Sequence, residues 1–203
     1  MLQQIVFRIR QAKCLSELVI ATSVEPQDDK IEDLARELKV ACFRGSELDC
    51  LDRFYQAALS FQADVVVRLS CDNPLVNGDF IDMVVTSFLQ ADPPYDFVDS
   101  TRSRTYPSGL AVEVFTFAAL EAAWKGGFSP LDREHITYFI YSHPEQFRCL
   151  HLMSLVDFGY MDWSVDTLQG LTFVRTVYDY FGSRPFSWKD VALAVSEHPN
   201  WTY

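Results

Sequence analysis

No stretch of this 203-residue chain approaches the ~20 consecutive apolar residues of a membrane span, and its first residues lack the apolar core of a secretion signal. Cytoplasmic residence is therefore expected. Cations are scarce: 17 Lys and Arg against 28 Asp and Glu leave a formal net charge of −11. So acidic a chain lacks the basic patches that release counterions from DNA or hold an anionic lipid surface, so neither nucleic acid nor membrane is an expected partner. A nucleotide would need a divalent cation to offset the repulsion. The five cysteines, Cys14, Cys42, Cys50, Cys71 and Cys149, are scattered, odd in number and without a Cys-x-x-Cys pair. That argues against a disulfide framework and against structural zinc, and the thiols are expected buried and reduced. Cys71 has no nearby His to activate it as a nucleophile. Gly-x-Gly-x-x-Gly, a Walker loop, internal repeats, low-complexity tracts and linkers are all missing.

What is present centres on Ala63-Asp-Val-Val-Val-Arg-Leu-Ser-Cys-Asp72-Asn-Pro74. The β-branched run Val65 to Val67 suits a strand buried on both faces, and Pro74, with no amide donor, stops strand pairing. Asp72 thereby reaches a strand's carboxyl end, the edge that borders the ligand crevice in open α/β sheets. It can hold a metal there, or cap the following helix. The 49% apolar content is enough for one full core, and a single domain over 1–203 is expected, with residues from about 182 as a C-terminal extension.

Periodicity gives the rest of the order. Leu2, Ile5, Val6 and Ile9 predict a helix over 2–13, Glu17 to Thr22 a strand, and Ile31, Leu34, Ala35 and Leu38 a helix begun by Asp28 and Asp29. A short strand at 40–43, a helix striped by Leu51, Phe54, Tyr55 and Ala58, and the 63–69 strand follow. Beyond Pro74 come a helix over 79–90, strands over 95–100 and 110–115, helices over 116–125 and 131–142, and a strand over 148–153. A helix capped by Thr167 and a last one over 187–196 complete the chain. This alternation predicts an α/β fold with a doubly wound, mainly parallel sheet.

Asp72 and Asp166 lie at separate element ends, from which two carboxylates could share one Mg²⁺, with water and phosphate oxygens completing the octahedron. Asp166 could equally be a helix-start residue. In Arg44-Gly45-Ser46-Glu47, glycine permits close backbone approach while Arg44 and the Ser46 hydroxyl could meet a phosphate or base; an ordinary polar turn is the alternative. Asp52 and Arg53 could be an exposed ion pair. The loop with Arg102, Arg104, Tyr106, Pro107 and Gly109 is the richest basic cluster. Arg133-Glu-His135 brings acid, base and cation within one turn, where a solvated helix start is the alternative. Phe186, Trp188, Trp201 and Tyr203 are expected to pack on a core edge or a partner subunit.

Several pieces in order, Val19-Ile-Ala-Thr-Ser23, Phe43-Arg-Gly-Ser-Glu47, Leu51-Asp-Arg-Phe-Tyr-Gln-Ala57, Val66-Val-Arg-Leu-Ser-Cys-Asp-Asn-Pro-Leu75, Arg104-Thr-Tyr-Pro107 with Gly109-Leu110, Val112-Glu-Val-Phe115, Arg133-Glu-His135 and Trp163-Ser-Val-Asp-Thr167, resemble the cytidylyltransferases of the spore-coat polysaccharide type. These are relatives of the CMP-sialic acid and CMP-3-deoxy-manno-octulosonate synthetases. The resemblance implies a Rossmann-like fold of the nucleotide-diphospho-sugar transferase kind and transfer of CMP from CTP to a sugar hydroxyl. It implies catalytic, Mg²⁺-holding roles for Asp72 and Asp166, and a cytidine side at Arg44, Gly45, Ser46, Asp52 and Arg53. Tyr106, Gly109, Glu113 and His135 would face the sugar. A homodimer is compatible with this reading.

Three departures stand out. The family's first strand and its Gln-Ala-Arg-x-x-Ser-x-Arg-x-x-x-Lys phosphate loop have no counterpart, Ala111 replaces a family carboxylate, and Tyr138 replaces proline. The expectation is that Met1 is internal to a longer product, with true loss of the loop as the alternative. Either case predicts a vacant strand position beside the 17–22 or the 63–69 strand and, from such a slot, poor CTP affinity, with an active and an inactive chain as written both allowed. A non-catalytic nucleotide-fold subunit and a metal-dependent glycosyltransferase are the competing readings. The latter would carry Asp-x-Asp where this chain has Ser70-Cys-Asp-Asn73.

Overall fold

The computed structural model describes residues 1–201, so Tyr203 of the aromatic ending lies outside the described residues. Helix α1 (Leu2–Ile9) buries Ile5, Val6 and Ile9 and stops short of the expected residue 13. Its Arg8 is also buried, and donates to the carbonyls of Val76 (Nε, 3.0 Å) and Leu75 (Nη2, 3.0 Å), tying α1 to the loop after the 63–69 strand. Burial pushes the pKa of that guanidinium down. Strand β1 (Val19–Ser23) crosses through α2 (Asp29–Leu38) to the parallel β2 (Ala41–Gly45). Asp49 caps α3 (Cys50–Ser60) by accepting from the Asp52 amide, and β3 (Val65–Leu69) and α4 (Gly78–Leu89) follow.

The second half carries β4 (Phe97–Asp99), β5 (Val112–Thr116), α5 (Phe117–Gly126), α6 (Pro130–Glu134), α7 (Tyr138–Ser142), β6 (Cys149–His151), α8 (Leu168–Phe181) and α9 (Trp188–Glu197). The expected helix over 131–142 is broken in two because His135 leaves helical backbone, at φ −102° and ψ 89°. Thr167 caps α8 as expected, accepting from the Gly170 amide. Phe186 stacks on Phe181, Trp188 is buried against Phe80, Tyr106 and Phe158, and Trp201 meets Phe173, so the described aromatics of the ending pack on a core edge.

Pairing divides the strands into β1–β2 and a four-stranded sheet in the order β3-β5-β4-β6. Strands β3 and β4 both run antiparallel to β5, and β6 runs parallel to β4, so β5 alone opposes its neighbours. The mixed α/β architecture with mainly parallel strands is thus the expected one. On one face the row Val66–Phe115–Phe97–Cys149 packs against α3, α5 and α7. On the other, Val67, Val114, Val98 and Leu150 pack against α4, α8 and α9.

Strands β1 and β3 do not pair with each other and lie in separate sheets, so the direct pairing that would have removed the vacant-strand expectation is not found among the described residues. Burial of the 63–69 strand on both faces is a corrected expectation. All five residues of β3 are half-buried, because one flank has no neighbouring strand to cover it. The cysteines correct another: Cys14 and Cys71, in the segments after α1 and β3, are exposed, and Cys42, Cys50 and Cys149 are half-buried at the margins of the cores they pack on. All five are free thiols. Among the described residues no helix is long and apolar enough to cross a membrane.

An open edge has a measurable signature in amide hydrogen exchange. Along β3, amides directed at β5 should be protected and those directed away should exchange fast; uniform protection along the strand would show its outer edge covered.

Candidate functional site

Asp72 sits just past the end of β3, in the turn that runs to Pro74. It is not a helix cap, since α4 begins six residues later behind Asn77. Its carbonyl accepts a 2.8 Å hydrogen bond from the Val165 amide, which brings the 162–166 segment to the β3 end. Trp163, fully buried, anchors that segment, and its amide donates to the Ser108 carbonyl at 2.8 Å. Gly109 lies beneath at φ +90°, where a Cβ would come within 2.6 Å of the Trp163 carbonyl carbon. Asp166, one residue beyond Val165, is exposed, and the Ser164 hydroxyl lies 2.9 Å from its Oδ2 and 2.7 Å from Asp162 Oδ1. The chain thus folds two acids ninety-odd residues apart onto one edge.

Asp72 Oδ1 is buried and has no hydrogen-bond partner. Leaving a buried carboxylate oxygen unsatisfied costs roughly 1–3 kcal/mol or more, a cost seldom retained without a ligand to meet it. Among the described residues no group of three or more His, Cys, Asp or Glu forms a metal cluster. A cation here would take at most two protein carboxylates. The adjacent Cys71 thiol has its pKa raised, first by desolvation and then by the Asp72 carboxylate, so it is a poor nucleophile.

The residues assigned to a cytidine side do gather, at the carboxyl end of β2 and the start of α3, but their side chains serve the protein itself. Arg44 donates to the Ser23 and Glu25 carbonyls and to Asp29 and Glu32, clamping β2 to the start of α2. Gly45 leaves room for Arg53, whose Cγ would lie 3.0 Å from any Cβ there. Arg53 Nη1 donates to the Ser46 carbonyl, and its Nε is buried without a partner. The Ser46 hydroxyl accepts from the Asp49 amide, and Asp52 Oδ1 accepts from Trp124 Nε1 at 2.8 Å. Asp52 and Arg53 are therefore not the exposed ion pair allowed by the sequence. Arg133 is not a solvated helix start either: its Nε donates to Asp49 at 2.8 Å and joins α6 to α3.

On the α3/α5/α7 face, two residues along each strand from the apolar row, four polar residues cross the sheet: Arg68, Glu113, Asp99 and His151. Glu113 Oε2 accepts from Arg68 Nη1 at 2.6 Å and Oε1 from Thr137 at 3.0 Å. The break between α6 and α7 is what turns Thr137 inward. His135 ends α6 exposed, with its carbonyl accepting from the Tyr138 amide. Tyr106 is wedged edge-on against Phe80 and Trp188, and burial raises the pKa of its phenol. Sequence reasoning assigned no role to Arg68, Asp99, Thr137 or His151. The available signal was a polar residue at or next to the last position of three otherwise apolar strands.

These elements have the architecture of the nucleotide-diphospho-sugar transferase fold, the class in which nucleotidyltransferases that activate sugars are found. The cytidylyltransferase family model matches residues 1–179, and the chain belongs to that family. A cytidylyltransferase structure from Leptospira borgpetersenii serovar Hardjo-bovis (strain JB197) superposes at TM-score 0.94 with 29% identity, over 98% of this chain and 84% of that one. The structure of CMP:2-keto-3-deoxy-manno-octonic acid synthetase complexed with CTP shares the fold at TM-score 0.62 and 12% identity, over 88% and 87% of the two chains. In sequence, an uncharacterized protein of Methanocaldococcus jannaschii, MJ1063, is 40% identical over 145 residues, 71% of this chain and 58% of that relative's length. Spore coat polysaccharide biosynthesis protein SpsF of Bacillus subtilis is 27% identical over 195 residues, 91% of this chain and 78% of SpsF.

Two measurements check this geometry. Asp28 accepts from the Thr22 hydroxyl and from the Ser23 hydroxyl and amide, and the Ser23 hydroxyl first, then Thr22, depress its pKa. A depressed carboxylate contributes stability above its unfolded pKa and loses it as pH falls through the folded value. Asp28→Asn should therefore flatten the acid limb of the stability profile below about pH 4, read by urea melts across pH. Gly109→Ala should lower stability by about 2 kcal/mol or more, from the positive φ and the clash with Trp163; a melting temperature equal to the parent's would contradict the close approach.

Proposed function

We propose that this chain carries the site of a cytidylyltransferase that moves CMP from CTP to a sugar hydroxyl and releases pyrophosphate. The observation that carries the reading is the orphaned Asp72 Oδ1, buried at the strand end beside the segment bearing Asp166. Hard carboxylate oxygens with open positions suit Mg²⁺, held by Asp72 and Asp166. Once bound, Mg²⁺ supplies charge neutralisation for the phosphates and the departing pyrophosphate.

The chain's own residues do the rest. The Arg44-Gly45-Ser46 turn, stiffened by Arg53 and the Asp52–Trp124 bond, presents its backbone to the cytidine. That is a narrower role than direct contact by the Arg44 guanidinium. Arg68, one nitrogen held by Glu113, keeps other donors for an anionic substrate beside the metal edge. Glu113 acts through Arg68 and Thr137, since both its oxygens are taken, while Tyr106, Gly109 and His135 border the sugar. No protein nucleophile is required, in keeping with the raised Cys71 pKa. The likeness to a synthetase captured with CTP supports the choice of nucleotide, and cytoplasmic residence belongs to the same reading.

A second reading, association as a homodimer or as a non-catalytic subunit, has one observation in its favour. Met153, Leu155, Val156 and Tyr160 are exposed on a loop whose backbone is fixed to Thr105 through the Ser154 and Phe158 amides.

Pyrophosphate release with CTP, MgCl₂ and 2-keto-3-deoxy-manno-octonic acid tests the leading reading. Asp72→Asn and Asp166→Asn should each cut the rate by about 100-fold. Asp72→Asn should leave the melting temperature unchanged or higher, because the carboxylate oxygen it replaces has no partner in the protein. Parent-level activity in Asp72→Asn would refute the assignment.

A further inference from the structure

The polar row ends on a pair that the cytidylyltransferase reading leaves unused. Asp99 is fully buried, while 39% of the His151 side chain is open to solvent. Oδ1 of Asp99 accepts from the Thr101 amide (2.8 Å), the Thr101 hydroxyl (3.0 Å) and the Arg102 amide (2.8 Å). Oδ2 meets His151 Nδ1 at 2.5 Å. A carboxylate can only accept, so the ring proton at this contact sits on Nδ1. In the neutral ring Nε2 is then an acceptor, and among the described residues no protein group donates to it.

The imidazole is also held in place. Phe97 meets it edge-on at 6.4 Å, Tyr141 packs on Phe97, and the Arg102 guanidinium lies 3.5 Å over Tyr141. The Thr101 and Arg102 amides fix one Asp99 oxygen, and any hydroxyl could have satisfied the other. An imidazole instead leaves a second, oriented nitrogen facing out. From Glu113 to His151 is two strand spacings, roughly 10 Å along the sheet's carboxyl edge, about the length of an extended polyhydroxylated chain.

We propose that His151, positioned by Asp99, is a specificity-determining residue whose Nε2 accepts a hydrogen bond from a hydroxyl of the acceptor sugar remote from the reacting oxygen. This rests on the cytidylyltransferase reading and adds the feature selected: a polyol tail long enough to reach β6. A site built to pair with a hydroxyl discriminates strongly against an analogue lacking it.

The test uses His151→Asn, whose amide nitrogen can replace Nδ1 against Asp99 while Nε2 is lost. Ring ¹⁵N spectra of the parent, taken at a pH where the ring is neutral, should show a proton on Nδ1 and none on Nε2, and the Nε2 resonance should shift on adding 2-keto-3-deoxy-manno-octonic acid. In the CTP-dependent assay the variant should raise the sugar KM about tenfold, with kcat and the CTP KM within about twofold and the melting temperature unchanged. A proton on Nε2, no shift at saturating sugar, or a fall in kcat at constant sugar KM would each overturn the role. Should the parent release no pyrophosphate at saturating CTP, the functional reading fails, while the Nε2 titration still decides for or against His151.

Discussion

One backbone hydrogen bond, Val165 amide to Asp72 carbonyl, holds together the two parts of the chain that matter most. It joins the segment after residue 160 directly to the end of β3. The constraint is reinforced from both sides. Trp163 fills the core and donates to Ser108, and Gly109 allows the two backbones to approach as no other residue would. The placement of two acids at one edge is thus a consequence of packing, and the unsatisfied Asp72 oxygen is its energetic residue.

A second principle is the use of buried carboxylates to aim cations and rings. Glu113, almost fully buried, holds Arg68, and Asp99, fully buried, holds His151; both presented groups keep part of their surface open. Asp49, itself only half-buried, likewise holds Arg133 between α3 and α6. In a chain of net charge −11 the arginines near the edge are therefore not loose counter-charges. Most are oriented by an acid or by carbonyls, with Arg44 the fullest case.

Much of this was legible in the sequence, for identifiable reasons. The order of strands and helices follows from apolar periodicity, and the Thr167 cap and the Asp72 strand end follow from local chemistry. The resemblance drawn from ordered short motifs agrees with the family the chain belongs to. What escaped is long-range. The half-burial of β3 depends on which strand lies beside it, the internal use of Arg44 on a turn twenty residues upstream, and the Asp99–His151 pair on a parallel pairing between strands about fifty residues apart. The bond from Thr137 to Glu113, which the break at His135 permits, likewise joins residues far apart in the chain. No local window contains these partners.

The central claim, that Asp72 and Asp166 share one divalent ion, is tested most directly by crystals of the protein grown with CTP and Mn²⁺, through the anomalous signal of the metal. The account predicts a single peak about 2.1–2.2 Å from a carboxylate oxygen of each residue, with Asp72 Oδ1 among them. A peak coordinated by neither acid, or by Asp166 alone with Asp72 Oδ1 still unpartnered, would contradict it.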